Sequence, residues 1–231
     1  PRHGDLRYNL LPWVELQSVA GLLGLGPSSS DPETGEIVHA VANVYGAGID
    51  SWAADAQQMV YDAINEKTRL VPISHVFFRN GEIQDVREIT RKAHRWGATV
   101  ILDAYHSVGI IPVDVGELGV DALVGGVLKW LCGGPGGAFL WVQPSLLRTL
   151  KPKITGWVAH RSPFSFETRM DYREDVFRML TGTPPVPVFY AMRAGPAIVA
   201  AAGITNIRAK SKRQTALIAA TARVLGYRML R

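Results

Sequence analysis

The chain has 231 residues, of which 47% are hydrophobic and 19% are charged, with 23 glycines and 14 prolines. This composition is typical of a globular protein and excludes disordered and collagen-like chains. The formal net charge of +5 is unevenly distributed, because residues 176–231 carry nine of the 25 basic side chains and none of the 20 acidic ones.

Turn formers and apolar residues divide the first hundred residues into alternating elements. The segment 24–36 is dense in turn-forming residues and predicts a loop. Residues 55–67 carry apolar side chains at helical spacing and predict an amphipathic helix. The apolar run 70–74 predicts a buried strand, and residues 83–96 predict a second helix, which Gly97 ends.

Three further apolar runs predict buried strands over residues 98–103, 121–125 and 137–142. Continuous apolar strands separated by helices are typical of a mostly parallel sheet sandwiched by helices, so we expect an α/β fold. Ligands of such sheets bind beyond the carboxyl ends of the strands. Ser74 and Asp103 end two of these strands and Lys129 follows a third, so we expect a site at this edge.

Beyond the last predicted strand the sequence changes character. Proline-rich loops lead into helices predicted over residues 187–202 and 204–226. We expect residues 1–186 to form a large domain. Residues 187–231 should form a helical linker and the start of a smaller C-terminal α/β domain.

Several other classes of protein are disfavoured by the sequence. The longest uncharged run, residues 130–147, is interrupted by glycines and prolines, so we expect no transmembrane helix. The basic residues near Arg213 have no interleaved aromatic residues, so we expect a solvated helix face and no nucleic-acid binding; a polyanion-binding module over residues 204–231 is the alternative. The single cysteine, Cys132, favours a cytoplasmic protein, in which we expect it to be buried. The six histidines lack metal-ligand spacing, so we expect no metal site.

Asp103 and Lys129 are the residues that suggest chemistry. Charged side chains in apolar segments need a partner, and a structural ion pair between these two fits their spacing as well as catalysis does. Six glycines between Gly125 and Gly137 would let a ligand approach the backbone around Lys129, but Trp130 does not fit a P-loop. A lysine in an apolar pocket can form a Schiff base with a carbonyl, as pyridoxal phosphate (PLP) requires. PLP also needs a carboxylate at its pyridine nitrogen.

Three segments, Pro72–Gly81, Ile101–Gly109 and Gly119–Gly136, together carry a resemblance to a known family. Through them the chain resembles the PLP-dependent class V aminotransferase family, fold type I, and within it the kynureninase-like branch. The resemblance implies that Lys129 forms the Schiff base and moves protons, and that Asp103 pairs with the pyridinium nitrogen. It implies further that His106 contacts the cofactor and that Ser74 forms a hydrogen bond near its phenolic oxygen.

The same resemblance extends to Gly156-Trp157 and to Gly182-Thr183, which two prolines follow. It implies that Trp157 and Thr183 reach the cofactor phosphate, in some relatives from the neighbouring subunit. It therefore implies a homodimer with shared active sites, whose substrate is an amino acid. Without the resemblance, Trp157 would be interpreted as a loop-anchoring aromatic residue and Thr183 as an ordinary turn residue. His106 alone would be interpreted as a structural histidine.

Two positions depart from the family pattern. Leu128 stands where relatives often place a phosphate-binding Tyr or His, and Leu11 stands where they place an aromatic residue that stacks on the cofactor. We expect a kynureninase-like hydrolase, which cleaves a side-chain carbon–carbon bond, or a transaminase. Cysteine desulfurase is disfavoured because Cys132 lies near the lysine instead of on a C-terminal loop. The alternative is an incomplete or non-catalytic member of the family.

Overall fold

The computed structural model describes residues 57–78 and 81–227, together with the backbone of five short strands that precede them. Contacts between residues divide the chain into two compact units. The first unit consists mainly of Pro1–Val60 and Phe78–Glu82, and the second mainly of Tyr61–Phe77 and Ile83–Met229. The division into domains at residue 186 stays a prediction.

Short strands make up the described part of the first unit. They are β1 (Trp13–Val14), β2 (Gly24–Leu25), β3 (Ser28–Ser30), β4 (Ile37–Ala40) and β5 (Asn43–Tyr45). β5 pairs with β1 and β2, and β3 pairs antiparallel with β4. The loop predicted over residues 24–36 is therefore wrong for β2 and β3. Strand pairing uses backbone hydrogen bonds, which glycine and serine can form without the alternation of apolar side chains by which strands are recognised in a sequence.

The second unit contains a four-stranded sheet in the order β6-β7-β8-β9. Its strands are β6 (Leu70–Ser74), β7 (Thr99–Asp103), β8 (Ala122–Gly126) and β9 (Ala138–Val142). The first three strands are parallel, and β9 is antiparallel to β8. The predicted fold class, a mostly parallel sheet with helices, is confirmed, and each predicted strand of this sheet agrees within one residue.

Helices follow the strands in the order that the sequence predicts, with differences in their bounds. Those described are α1 (57–63), α2 (Val86–Arg95), α3 (Val115–Leu118), α4 (Pro144–Thr149), α5 (Val186–Ala191), α6 (Ala194–Ala202) and α7 (Ile204–Val224). Single turns of 3-10 helix lie at Trp157–Ala159, Pro163–Ser165 and Val176–Met179. Helix α4 lies within the segment predicted as proline-rich loop, where Pro144 occupies a first-turn position that suits proline.

Helix α2 covers one face of the sheet and forms the core with it. Ile89 and Ala93 of α2 and Val100 and Leu102 of β7 are all 0% exposed. The helix begins three residues later than predicted, because the Asp85 carboxylate accepts a hydrogen bond from the backbone N of Glu88 and caps it. Because one face of β6 and β7 is buried in this core, the alternate side chains of the two strands project from the opposite face.

Three other helices differ from prediction. In α1, Met59 lies on the predicted apolar face but is 68% exposed. The helix predicted over residues 187–202 is broken between α5 and α6, because Pro196 cannot donate a backbone hydrogen bond to Met192 four residues earlier. Helix α7 is formed as predicted, but none of its residues is buried.

A helix that spans a membrane must be both long and apolar. Among the described residues, no single helix meets both requirements. The arms Val186–Ala202 and Ile204–Val224 meet them only as a pair that is bent by 78°.

His75, at the end of β6, makes the stability of the fold depend on pH. The side chain is 5% exposed, and burial lowers the pKa of its imidazole from the ordinary value of 6.5. The folded protein therefore keeps the ring neutral, whereas the unfolded chain takes up a proton. We expect the free energy of unfolding to decrease as the pH falls below about 6.5, and the variant His75→Leu to lack this part of the decrease. Urea unfolding of both proteins between about pH 5.5 and 7.5 measures it, and parallel curves would contradict the prediction.

Candidate active site

The carboxyl ends of the parallel strands bring the predicted site residues together. Ser74 on β6 pairs with Asp103 on β7, and Asp103 pairs with Val124 on β8. Because side chains alternate along a strand, Ser74 and Asp103 project from the face opposite to the buried Ile73 and Leu102. Both side chains are half-buried. The predicted adjacency of the strand ends is thus present.

A tight turn after β7 places His106 beside Lys129. Asp103 Oδ1 accepts a hydrogen bond of 2.9 Å from the backbone N of Tyr105, and the chain then turns around the carbonyl of Ala104, which accepts from Val108 N at 3.0 Å. Lys129 Nζ forms a hydrogen bond with His106 Nε2. Among the described residues, the ion pair between Asp103 and Lys129 that spacing alone allowed is not formed; the lysine pairs with the histidine instead.

The glycine-rich loop between β8 and β9 holds Lys129 through backbone contacts. Lys129 is exposed, and its carbonyl accepts a hydrogen bond of 3.0 Å from Cys132 N. Gly109 has a φ of +101°, and a Cβ there would lie 2.7 Å from the Trp130 carbonyl carbon. A Cβ on Gly195 of α6 would lie 2.1 Å from the Cys132 carbonyl oxygen. Glycine is therefore required where the neighbouring segments touch the loop.

Cys132 is exposed, so the prediction of a small buried side chain is wrong. Its φ is +52°, a conformation that residues other than glycine rarely adopt. The backbone of Cys132, and not its side chain, is packed against Gly195, which explains the exposure.

A buried glutamine that the sequence analysis missed supports the end of β6. Gln84 is 3% exposed, its side-chain amide donates to the Ser74 carbonyl, and its backbone N donates to the His75 carbonyl at 3.0 Å. The backbone N of His75 in turn donates to the Asp103 carbonyl at 2.9 Å. In the sequence, Gln84 is recognisable as a polar residue directly before Asp85, a residue type that favours the N-cap of a helix.

Trp157 and Thr183 form a second group of predicted site residues. Trp157 Nε1 donates to Thr183 Oγ1 at 3.4 Å, and the indole is 41% exposed. A Cβ on Gly156 would lie 2.6 Å from the backbone N of Gly182, so the two glycines let the segments touch. The two glycine-containing motifs thus meet in space, although their roles stay predictions.

A pocket of about 270 Å³ lies beside Trp157. Its lining residues are aromatic, apolar and polar: Trp157, His160, Ser162, Pro163, Phe166, Glu167, Thr168 and Met170. His160 Nδ1 lies 2.9 Å from the backbone N of Ser162 and 3.0 Å from the Ser162 carbonyl oxygen, so it can accept from the first or donate to the second. The other ring nitrogen, Nε2, is buried, and Glu167 Oε2 lies 4.0 Å from it. The histidine and carboxylate were not recognised in the sequence.

The chemistry of the residues at the strand ends fits the PLP that the resemblance implies. An exposed lysine amine lies next to an imidazole, and a half-buried carboxylate lies on the neighbouring strand. Glycines at the contact points let neighbouring segments pack directly against the backbone of the lysine loop and fix its position. Leu128, at the position where relatives often bind phosphate, is 47% exposed, and Leu11 lies outside the described residues.

Comparison with known proteins decides the family. The model of the family "Aminotransferase class-V" matches residues 37–226. The chain belongs to the aminotransferase class V family. This family consists of PLP-dependent enzymes, as the sequence motifs predicted.

Two curated relatives are similar to the chain over most of its length. The chain is 31% identical over 185 residues to a kynureninase of Pseudomonas fluorescens, which covers 80% of this chain and 44% of the relative. It is 39% identical over 145 residues to the uncharacterised aminotransferase YcbU of Bacillus subtilis, which covers 63% of this chain and 38% of the relative. The chain therefore spans less than half the length of these relatives.

A solved structure confirms the fold class of the class V enzymes. The apo cysteine desulfurase of Thermococcus onnurineus superposes with a TM-score of 0.61 at 22% identity, over 75% of this chain and 42% of the other. At this identity the likeness concerns the fold alone, which is fold type I.

The close contact at Gly109 generates a prediction about stability. A Cβ at Gly109 would meet the Trp130 backbone, whereas one at Gly134, which also has a positive φ of +75°, would meet nothing within 4 Å. We expect Gly109→Ala to lower the free energy of unfolding by about 3 kcal/mol, from backbone strain and overpacking together. Gly134→Ala, with the strain alone, should cost about 1 kcal/mol. Urea unfolding measures both, and equal losses would show that the contact with Trp130 is not restrictive.

Proposed function

We propose that the chain is a PLP-dependent enzyme acting on an amino acid, in which Lys129 forms the Schiff base with the cofactor. The observation that supports this most directly is the hydrogen bond between Lys129 Nζ and His106 Nε2, since His106 follows Asp103, the last residue of β7, by three residues. This contact holds the lysine amine in a fixed direction, and a lysine amine is the group that forms a Schiff base with an aldehyde.

Each of the other residues at the strand ends has a proposed role. When bound, PLP supplies an electron sink for the bond broken at the substrate. Asp103 would hold the proton on the pyridine nitrogen, and its own orientation is fixed by the hydrogen bond from Tyr105 N. Ser74 would donate its hydroxyl proton to the phenolic oxygen. Lys129 would move a proton at the substrate α-carbon, with His106 as its hydrogen-bond partner.

The second group completes the proposal. Trp157 and Thr183, which are joined by a hydrogen bond, would reach the cofactor phosphate. A loop that carries such a pair can serve the site of a neighbouring subunit, so we propose a homodimer with shared active sites. We also propose a cytoplasmic location, on the basis of the single cysteine.

Two reactions are proposed as candidates, hydrolysis of a carbon–carbon bond and transfer of an amino group. Similarity to a kynureninase over most of the chain supports a hydrolase that cleaves a carbon–carbon bond in the substrate side chain. Similarity to an uncharacterised aminotransferase supports transfer of the amino group. The exposed leucine at position 128 supports the alternative, a family member that retains the fold without activity.

The Schiff-base proposal predicts a change in the visible absorption spectrum. PLP added to the purified chain should give a yellow band, and borohydride should attach the cofactor covalently to the peptide that contains Lys129, as peptide mass spectrometry measures. Lys129→Arg keeps the positive charge but cannot form the bond, so it should give neither signal.

A second lysine provides the control for this experiment. Lys92→Arg changes a lysine that lies over the ring of Tyr61, 3.9 Å from its centroid, and should behave as the wild type. Identical spectra and identical labelling in the wild type and in Lys129→Arg would overturn the proposed role of Lys129.

A further inference from the structure

One aromatic side chain lies among the proposed cofactor residues and has no role assigned so far. The ring centroid of Tyr105 is 5.0 Å from Lys129 Nζ. The same ring meets His106 edge-on, with centroids 6.2 Å apart and an interplanar angle of 68°. Its backbone N donates to Asp103 Oδ1 at 2.9 Å. Tyr105 therefore touches or adjoins each of the three proposed catalytic or cofactor-binding groups at the ends of β7 and β8.

Strand β8 is built to accept this ring. A Cβ on Gly126 would lie 2.1 Å from Cε2 and 2.6 Å from Cζ of Tyr105, so only glycine at this position leaves space for the ring. Tyr105 follows Asp103 by two residues, and Gly126 follows Val124, the strand partner of Asp103, by two residues as well. The ring is thus supported by the backbone of β8 on the face of the sheet where the site lies.

We propose that Tyr105 provides the aromatic surface on which the planar ring of PLP rests next to Lys129; this inference rests on the proposed function. A cofactor ring that is joined to Nζ through one carbon atom begins two bonds from a nitrogen 5.0 Å from the tyrosine centroid. A cofactor ring that extends from Nζ over the tyrosine would lie within the range of about 4.5–7 Å in which aromatic pairs attract each other. A pyridinium ring is also cationic, which adds cation–π attraction to the tyrosine.

The proposal predicts the direction in which the affinity for PLP changes when the Tyr105 ring is removed. If the ring supports the cofactor, removing it weakens binding. If the ring instead occupies the space that the cofactor needs, removing it strengthens binding. The opposite predictions make the affinity for PLP the decisive quantity.

We therefore propose to measure the dissociation constants of PLP and of pyridoxine 5′-phosphate, which lacks the aldehyde, for four proteins by absorption and fluorescence titration. The proteins are the wild type, Tyr105→Ala, Tyr105→Phe and Tyr61→Ala. Tyr105→Ala should weaken both ligands by about five- to tenfold, the loss of one stacked ring. Tyr105→Phe keeps the ring and should remain within about twofold of the wild type.

Tyr61→Ala is the matched control, because Lys92 Nζ lies 3.9 Å from the centroid of Tyr61 and the pair packs between α1 and α2. This variant also removes a tyrosine ring that lies under a lysine amine, but it does so away from Lys129 and should leave both dissociation constants unchanged. Urea unfolding of all four proteins separates loss of folding from loss of binding. The dissociation constant of pyridoxine 5′-phosphate is the decisive measurement, since this ligand lacks the aldehyde and its binding does not depend on a covalent bond to Lys129.

Each remaining outcome has a defined meaning. Where the wild type binds PLP, equal or tighter binding by Tyr105→Ala overturns the inference while leaving the proposed function standing. Binding by Tyr105→Ala alone, with none by the wild type, overturns both. If neither the wild type nor Tyr105→Ala binds PLP, the proposed function fails, and the role of Tyr105 fails with it. Equal weakening by Tyr105→Ala and Tyr61→Ala would also overturn the inference, because the effect would then be structural.

Discussion

Parallel pairing of β6, β7 and β8 is the constraint on which the candidate site depends. The register that pairs Ser74 with Asp103, and Asp103 with Val124, ends the three strands at one edge. The packing of α2 then decides which face is buried, since Leu102 is 0% exposed while the neighbouring Asp103 is half-buried on the opposite face. A shift of one residue in the register would exchange the faces and turn Asp103 towards the helix. The hydrophobic core thus orients the polar residues.

The position of Lys129 has a different physical origin. No strand carries this residue, and it is held by a loop whose shape depends on contacts between backbones. The contacts of Gly109 with Trp130 and of Gly195 with Cys132 bring two other segments against the loop. Such contacts leave no room for a side chain, and they therefore limit the residues allowed at these positions more strictly than ordinary packing does. Helix α6, which carries Gly195, belongs to the architecture of the lysine loop.

The sequence predicted the elements whose signal is periodic and local. The apolar strands and the rule that ligands bind beyond their carboxyl ends were sufficient to bring Ser74, Asp103 and Lys129 together. The exposure of Cys132 was not predictable, because it follows from the packing of the Cys132 backbone against Gly195, a residue distant in the sequence. Tyr105 was overlooked for another reason: its importance depends on a glycine in the next strand, and that pairing is visible only once the register is known.

The basic C-terminal segment forms a helix within the part of the chain that matches the family model. Helix α7 carries Arg208, Lys210, Lys212 and Arg213 and has no buried residue, so its charges are solvated and cost little. The match to the class V family extends to residue 226 and thus includes the whole helix. The expectation that this segment binds no nucleic acid stays a prediction. The positive charge of the segment is a surface property of the fold, which offsets the acidic excess of the preceding 175 residues.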